Sequence, residues 1–180
     1  MEQSIVLCYM KTESLHKLES LDRSEIIRTG YKIVDGELIS IEVQWNIPSF
    51  FKDDSGDHSV QAQIDFCRGH LKRGGIMVGA FQGEVLVGVG VLTPDIHPGV
   101  AQLAYLQVSS EFRRTGVATS IVRELERRAV EFGSASIYVS ATPSESAVNF
   151  YLSRGYEVAN QPIHDLVQLE PEDIHMFKDL

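Results

Sequence analysis

Residues 100–118, VAQLAYLQVSSEFRRTGVA, determine the predicted fold at the centre of the chain. Residues 100–108 predict a strand, and a short polar loop follows them. Residues 116–132 then place apolar side chains at helical spacing, which predicts an amphipathic helix with one buried stripe. The strand therefore runs through the loop directly into the N-terminus of a helix.

That helix start has the features of an anion site. Its first backbone N–H groups have no partner within the helix, and the helix dipole favours a negative charge there. Gly116 and Ala118 leave room for a phosphate to approach the backbone, and Arg113 and Arg114 add cations at the rim. The pattern predicts a pyrophosphate cradle. A basic turn before a helix is the alternative interpretation of these residues taken alone.

Two common nucleotide motifs are missing. The chain has no GxxxxGK[ST] spacing, and Gly88-Val89-Gly90 lies inside a strand pattern instead of forming GxGxxG at a helix start. The cradle is therefore predicted to be neither a P-loop nor a dinucleotide fingerprint.

Strands and helices alternate on both sides of this segment. Asp35-Gly36 predicts a hairpin, and residues 142–145 match a capping box. Residues 48–56 are predicted to form an irregular loop. The predicted strands are 4–9, 26–34, 37–45, 76–82, 85–92, 100–108, 136–141, 156–159 and one within 174–180, and the predicted helices are 12–21, 57–73, 116–132 and 142–154. This order predicts an α/β fold with a mixed sheet.

Length and composition narrow the possible functions. The 180 residues fit one domain, residues 1–180, and 43% of them are hydrophobic. The net charge of −9 disfavours nucleic-acid binding and would attract a cationic substrate, although many acidic proteins gain only solubility from such a charge. No apolar run is long enough to span a membrane, and residues 1–14 lack the features of a signal peptide. The expected location is cytoplasmic.

The two cysteines predict neither a disulfide framework nor a metal site. Cys8 and Cys67 are far apart and have no CxxC or Cys/His ligand spacing near them. Cys67 shares an apolar helical stripe with Val60, Ile64 and Leu71, so it is expected in the core. No metal is expected in the protein.

Several motifs together resemble the GNAT superfamily of acyl-CoA N-acyltransferases. The loop 113–118 matches the pyrophosphate signature (Arg/Gln)-x-x-Gly-x-(Gly/Ala) of that family, and the preceding strand matches its Leu-x-x-Leu-x-Val pattern. A later family pattern, Asn-x-x-Ala-x-x-x-Tyr-x-x-x-Gly-(Phe/Tyr), is matched at Ala147, Tyr151, Gly155 and Tyr156, with Ser144 in place of the asparagine. The resemblance covers about residues 75–156, the expected cofactor-binding core.

The resemblance implies a fold, a co-substrate and roles for individual residues. The implied fold is a central, mostly antiparallel sheet with a parallel pair splayed at the cofactor site and flanked by helices. Acetyl-CoA is the implied co-substrate, and Tyr151 occupies the position of the general acid that protonates the leaving thiolate. The implied cofactor-binding residues are Leu106, Gln107, Val108, Arg113, Arg114, Thr115, Gly116, Val117, Ala118, Thr119 and Ser144.

The acceptor and the general base stay open at this point. A small-molecule or peptide amine is the expected acceptor, and a homodimer is a possible assembly. Other acyl-CoA donors, a hydroxyl acceptor, or a sensor that binds acetyl-CoA without turnover are the alternatives. Tyr105 and Gln107 could hold a water, and the chemically possible bases are Asp95, His97, His164 and His175.

Overall fold

The computed structural model describes residues 4–50 and 56–180, which form nine strands and four α-helices. The strands are β1 (Ile5–Met10), β2 (Glu25–Val34), β3 (Glu37–Ile47), β4 (Ile76–Gln82), β5 (Val85–His97), β6 (Val100–Val108), β7 (Ser136–Ala141), β8 (Glu157–Val158) and β9 (Ile174–Asp179). The helices are α1 (Val60–Lys72), α2 (Val117–Glu131), α3 (Glu145–Ser153) and α4 (His164–Leu169), with 3₁₀ turns over Thr12–Ser20 and Ser110–Phe112. No helix among these residues is long and apolar enough to cross a bilayer.

Seven strands form one mixed sheet in the order β1-β4-β5-β6-β7-β9-β8, and β2 and β3 form a separate hairpin. Every pair in the large sheet is antiparallel except β6 and β7, which run parallel. Helices pack on the sheet, and the predicted mixed, mostly antiparallel sheet with one parallel pair is therefore confirmed.

The parallel pair separates along its length. Its register runs only from Val100 opposite Ser136 to Gln102 opposite Tyr138. Beyond Gln102, no strand within the described residues pairs with the second half of β6 on its β7 side. The backbone N–H and C=O groups on that edge are therefore available to a ligand that lies along the strand.

The sheet has a hydrophobic core on each face. On one face, Val89 and Val91 of β5 pack with α1, and Cys67 is fully buried there as predicted. On the other face α2 contributes the buried stripe that its periodicity predicted: Val117, Ile121, Val122, Leu125 and Ala129. The alternation of β5 side chains between the two cores explains why this strand is apolar at nearly every position.

Glycines in β5 let α2 pack closely against the sheet. A Cβ atom built on Gly90 would lie 2.6 Å from Cγ2 of Ile121, and one on Gly88 would lie 2.7 Å from Cγ1 of Val117. The glycine pair therefore serves helix-to-sheet packing, in agreement with the sequence-based exclusion of a dinucleotide motif. Close packing here also fixes the position of the N-terminus of α2.

We expect Gly90→Ala to destabilise the protein by about 1–3 kcal/mol, since overpacking a filled core forces side chains from their rotamers. For a chain of this size that change lowers Tm by several degrees, roughly 2–4 °C per kcal/mol. Gly69→Ala is the matched control, because its Cβ would meet only the Arg73 side chain at 3.8 Å within α1. Thermal denaturation should show Gly69→Ala unchanged or stabilised. Equal melting temperatures for the two variants would contradict the close approach of α2.

The boundaries of α1 and β5 differ from the predictions for identifiable reasons. Helix α1 begins at Val60 and not at residue 57, because the Ser59 hydroxyl accepts a hydrogen bond from the N–H of Ala62 and caps the helix. Strand β5 continues to His97 through a register shift that accommodates Pro94, whereas the prediction ended it at residue 92. Helix α4 was not predicted at all, and most of the predicted loop 48–56 lies outside the described residues.

The capping box at residues 142–145 was wrong. Ser144, not Thr142, is the N-cap of α3, and its hydroxyl accepts from the N–H of Ala147. Residues before it are held in an extended path, because the Pro143 carbonyl accepts from the N–H of Tyr31 at 2.9 Å and Ser144 forms a bridge with Gly30. Contact with the β2–β3 hairpin therefore overrides the local signal and shortens the helix.

Candidate functional site

A cleft of about 550 Å³ opens where β6 and β7 separate. Its β6 wall includes residues 103–107, and its β7 wall includes residues 139–142. The remaining lining residues come from the N-terminal region, α1, α3 and the turn before β9: Arg23, Phe50, Asp57, His58, Ala62, Gln63, Phe66, Ala147, Tyr151, Glu170 and Asp173. The cleft thus lies in the gap between two neighbouring strands of the sheet, β6 and β7, where they separate.

The loop between β6 and α2 offers backbone donors for an anion. No acceptor among residues 4–50 and 56–180 takes a hydrogen bond from the N–H groups of Gly116, Val117, Ala118 or Thr119. Gly116 has a backbone φ of 91°, which residues with a side chain rarely adopt. This conformation explains why a glycine occupies the N-cap. Four free donors and the helix dipole form an arrangement that suits a pyrophosphate. Thr115 is exposed, and its hydroxyl donates to the Phe112 carbonyl at 2.6 Å.

The two arginines of the loop have different environments. Arg113 donates to the carbonyls of Val108, Arg23 and Ser24 at 2.9–3.3 Å, and it pairs with Glu25 at 3.2 Å. Its guanidinium therefore holds the loop against the N-terminal segment, whereas the sequence predicted a cation at the rim. Arg114 is exposed and forms no ion pair with any described residue, so it retains the predicted character.

Asp22 fixes the same loop from the other side. Its carboxylate accepts hydrogen bonds from Ser110 at 2.6 Å, from Ser24 at 2.8 Å and from Ser49. These bonds hold the pKa of Asp22 well below its usual range. The segment before β2, the end of the hairpin and the loop after β6 are thus joined through one carboxylate.

We expect Thr119→Glu to lower the affinity for acetyl-CoA at least tenfold, about 1.4 kcal/mol. The new carboxylate would stand in the first turn of α2 and repel a bound pyrophosphate, while the helix dipole favours that charge in the folded protein. Thr119→Gln is the control, because it adds similar bulk without charge. Calorimetry gives the affinities and thermal denaturation the stability. Equal affinity of the two folded variants would remove the cradle assignment.

The β6 wall brings together the predicted strand residues. Leu106 and Gln107 line the cleft, whereas the Val108 side chain is buried and its carbonyl accepts from the Gln107 side-chain amide at 3.2 Å. These residues lie in the half of β6 that pairs with β5 on one side and, among the described residues, with no strand on the β7 side. The free strand edge fits an extended amide-containing chain such as the pantetheine arm.

Tyr151 lies on α3 and lines the cleft. Its side chain is 6% exposed and packs edge-on against Phe150 and Tyr156, with ring centroids 5.3 and 5.2 Å away. The hydroxyl has no hydrogen-bond partner among the described residues. Burial and the nearby Asp173 carboxylate raise the pKa of Tyr151, so the hydroxyl keeps its proton at neutral pH.

Asp173 lines the cleft, although the sequence did not predict it as a site residue. It lies in the turn before β9 and lines the cleft together with Tyr151 and Glu170. Burial, with a contribution from the Glu170 carboxylate, raises the pKa of Asp173 to about 7. A carboxyl group with this pKa can exchange a proton near neutral pH. Nothing in the local sequence, Pro171-Glu172-Asp173, distinguishes it from a polar surface turn.

None of the four bases considered from the sequence lines the cleft. Asp95, His97 and His164 are exposed. His175 is buried, and its ring bridges the Ser140 hydroxyl at 3.3 Å and the Glu170 carbonyl at 3.1 Å. His175 therefore holds the turn that carries Asp173 against β7.

Ser144 is the N-cap residue of α3. The residue is 2% exposed, and its hydroxyl caps the helix through Ala147 and contacts the Ser146 hydroxyl at 3.1 Å. The structure therefore does not place it as the free counterpart of the family asparagine. Asn149 accepts a hydrogen bond from the Tyr31 hydroxyl at 2.9 Å and belongs to the contact with the hairpin.

The polar side chains that line the cleft include Tyr105, Tyr151, Arg23, His58 and the carboxyl groups of Asp57, Glu170 and Asp173. No group of three or more His, Cys, Asp or Glu residues in the described ranges is arranged to hold a metal ion. The free N–H groups of α2 and the open edge of β6 fit the pyrophosphate and the arm of coenzyme A.

Comparison with known proteins agrees with this geometry. Residues 41–156, more than half of the chain, match the profile described as the acetyltransferase (GNAT) family. No curated protein sequence gives a significant match. The fold is similar to that of nourseothricin acetyltransferase, with 15% identity, a TM-score of 0.71, and 97% of this chain and 98% of that chain covered.

Two further structures were solved with the coenzyme. A candidate streptothricin acetyltransferase from Bacillus anthracis str. Ames, in complex with acetyl coenzyme A, has 15% identity and a TM-score of 0.73, with 98% of this chain and 99% of that chain covered. PaiA N-acetyltransferase from Thermoplasma acidophilum, in complex with coenzyme A, has 15% identity and a TM-score of 0.65 over the same shares. At this identity the likeness shows the fold, and the matched profile shows the family. The chain belongs to the acetyltransferase (GNAT) family.

Proposed function

We propose that this protein transfers the acetyl group of acetyl-CoA directly to a primary amine, acting as one acetyltransferase domain in the cytoplasm. The observation that carries the proposal is the cleft at the splayed strands, where the Tyr151 side chain and the Asp173 carboxyl line the same space. Acetyl transfer needs both a proton donor and a proton acceptor near the thioester. Tyr151 is the proposed donor and Asp173 the proposed acceptor.

The coenzyme is proposed to bind along the open edge of β6 and at the start of α2. Leu106, Gln107 and Val108 present that edge, and the N–H groups of residues 116–119 would hold the pyrophosphate. Arg114 adds a free positive charge beside them. Arg113 and Thr115 would act by holding the loop, and Ser144 by fixing the start of α3.

Tyr151 is proposed as the acid that protonates the leaving thiolate. Its hydroxyl has no hydrogen-bond partner within residues 4–50 and 56–180, and its raised pKa keeps it protonated over the physiological range. A protonated hydroxyl can donate to the sulfur as the carbon–sulfur bond breaks. The backbone of β6 would orient the thioester, because substrate positioning contributes much of the rate in such transfers.

Asp173 is proposed as the base that takes a proton from the acceptor ammonium. The amine must lose that proton before its lone pair can attack the thioester carbon. Asp173 is ionised above pH 7 and can then accept it, directly or through one water. The negative charges of Asp173 and Glu170 also favour an ammonium group at this wall.

A product assay tests the proposal. Purified protein is incubated with acetyl-CoA and a panel of amines of small-molecule and peptide type, and thiol release and acetylated products are measured together. We expect stoichiometric thiol and N-acetyl product for at least one amine. A product acetylated only on oxygen would replace the amine by a hydroxyl acceptor. Tight binding of acetyl-CoA without turnover across the panel would favour a sensor.

A further inference from the structure

Arg23 lines the cleft between β6 and β7, and no described carboxylate forms an ion pair with it. Its Nε donates to the Pro48 carbonyl at 3.1 Å, and its guanidinium stacks on the Phe50 ring at 5.0 Å. Both contacts fix the orientation of the guanidinium and leave its terminal NH₂ groups free of any acceptor within residues 4–50 and 56–180. Burial lowers the pKa of Arg23, the direction expected for a cation that is partly removed from water.

Tyr105 stands beside Arg23 on the β6 wall. Its hydroxyl oxygen is buried and lacks a hydrogen-bond partner among the described residues, and its ring lies 6.1 Å from that of Phe66. Burial raises the pKa of Tyr105, and the nearby Arg23 opposes part of that shift. Buried hydroxyls are nearly always hydrogen-bonded in proteins, so an unpartnered one in a cleft indicates a missing polar group.

Charged side chains of both signs line the cleft, among them the exposed Asp57 before α1. Arg23 and Tyr105 lie on the side of β6 and the N-terminal region, whereas Glu170 and Asp173 lie beyond β7, where Ile174 pairs with Ala141. An ammonium group suits Glu170 and Asp173, and an anion suits the planar donors of an arginine held in one orientation.

We propose that Arg23 and Tyr105 form a binding subsite for a carboxylate on the acceptor, so that the substrate is an amino acid or another amine carrying a carboxylate. This inference rests on the proposed acetyltransferase function and narrows its substrate class. The ammonium is bound near Asp173 while the carboxylate accepts hydrogen bonds from the Arg23 guanidinium. Amines without an anionic group leave the terminal NH₂ groups of Arg23 without an acceptor among the described residues, and we expect them to be poorer substrates.

Matched pairs of acceptors test the subsite without any variant. β-Alanine, γ-aminobutyrate, ε-aminocaproate and lysine are each compared with their own carboxamides, which keep the amine and lose only the negative charge. We expect kcat/KM to be at least tenfold higher for the acid of the best pair. The same acid should bind to the protein saturated with coenzyme A in calorimetry, and its carboxamide should not. Equal rates and equal binding within the pairs would overturn the subsite.

Arg23→Gln tests whether Arg23 causes the preference for the acid over its carboxamide. We expect the variant to lose the preference for the acid, with the carboxamide rate changed by less than about threefold. Arg28→Gln is the control, because Arg28 is exposed on β2 and does not line the cleft. A fall in acetyl-CoA affinity with the acid preference intact would overturn the assignment and make Arg23 a coenzyme residue. If no amine is acetylated, the proposed function fails, and selective binding of the acid still decides the subsite.

Discussion

Tyr151→Phe is expected to lower kcat by about 10²-fold, within the usual range for a lost general acid. The change removes one oxygen and keeps the ring contacts with Phe150 and Tyr156. Because the hydroxyl acts on the leaving thiolate, its loss mainly affects the transition state. The affinity for acetyl-CoA should therefore change much less than kcat. Steady-state kinetics and calorimetry measure the two effects separately.

Tyr156→Phe is the matched control for this prediction. Tyr156 is buried next to Tyr151, but its hydroxyl bonds Glu126 at 3.2 Å and it does not line the cleft. Its variant should keep kcat within a factor of about three of the wild type. A similar small effect of Tyr151→Phe would show that Tyr151 only packs, and a water would then be the proton donor.

Asp173→Asn is expected to lower kcat by about 10²-fold or more, the range for removal of a general base. In the wild type, kcat at saturating amine should rise with pH and level off above about pH 7, the pKa of Asp173. Below that pH the carboxyl group is protonated and cannot accept a proton, so the rate falls. The amide of the variant does not titrate, and its low rate should lose this step.

Glu170→Gln separates the role of Asp173 from that of acidic charge in general. The Glu170 carboxylate contributes to the raised pKa of Asp173, so its neutralisation should move the step in the pH–rate profile to lower pH. The plateau rate should stay close to that of the wild type. A profile unchanged by Asp173→Asn would exclude Asp173 as the base and leave a water chain.

Local sequence patterns predicted the parts of the fold that depend on local periodicity. Strand β6, the loop and α2 occur at the predicted residues within one position, because a strand period gives way to a clear helical stripe. Tyr151 could be named because the motif spacing places it on the helix beside the cleft. The cleft itself follows from the early end of the β6–β7 pairing, which the family resemblance implied.

The missed site residues depend on contacts between distant segments. Asp173 reaches Tyr151 because β9 pairs with β7 and brings the preceding turn to the cleft. Arg23 reaches Tyr105 because Asp22 and Arg113 tie the N-terminal segment to the loop after β6. Neither residue has a local signature, since a charged side chain in a turn is ordinary on any protein surface.

Two residues with clear local signals have environments that the sequence did not predict. Thr142 had the stronger local signal for a helix start, yet the hairpin contact at Pro143 moved the cap to Ser144. Arg113 fitted a phosphate-binding motif, yet its guanidinium is engaged by Glu25 and by backbone carbonyls. In both cases a long-range partner determined the role of a residue that its local sequence had described differently.

The most direct test of the account follows an isotopically labelled acetyl group from acetyl-CoA to the acceptor. Wild type and Tyr151→Phe are incubated with labelled acetyl-CoA and the amine panel, and mass spectrometry identifies the labelled atom. Direct transfer with Tyr151 as the acid predicts label in an amide on the acceptor nitrogen, released thiol in equal amount, and about 10²-fold slower labelling by the variant. Acetyl-CoA bound tightly by the wild type, with no label on any acceptor, would contradict the proposed transfer.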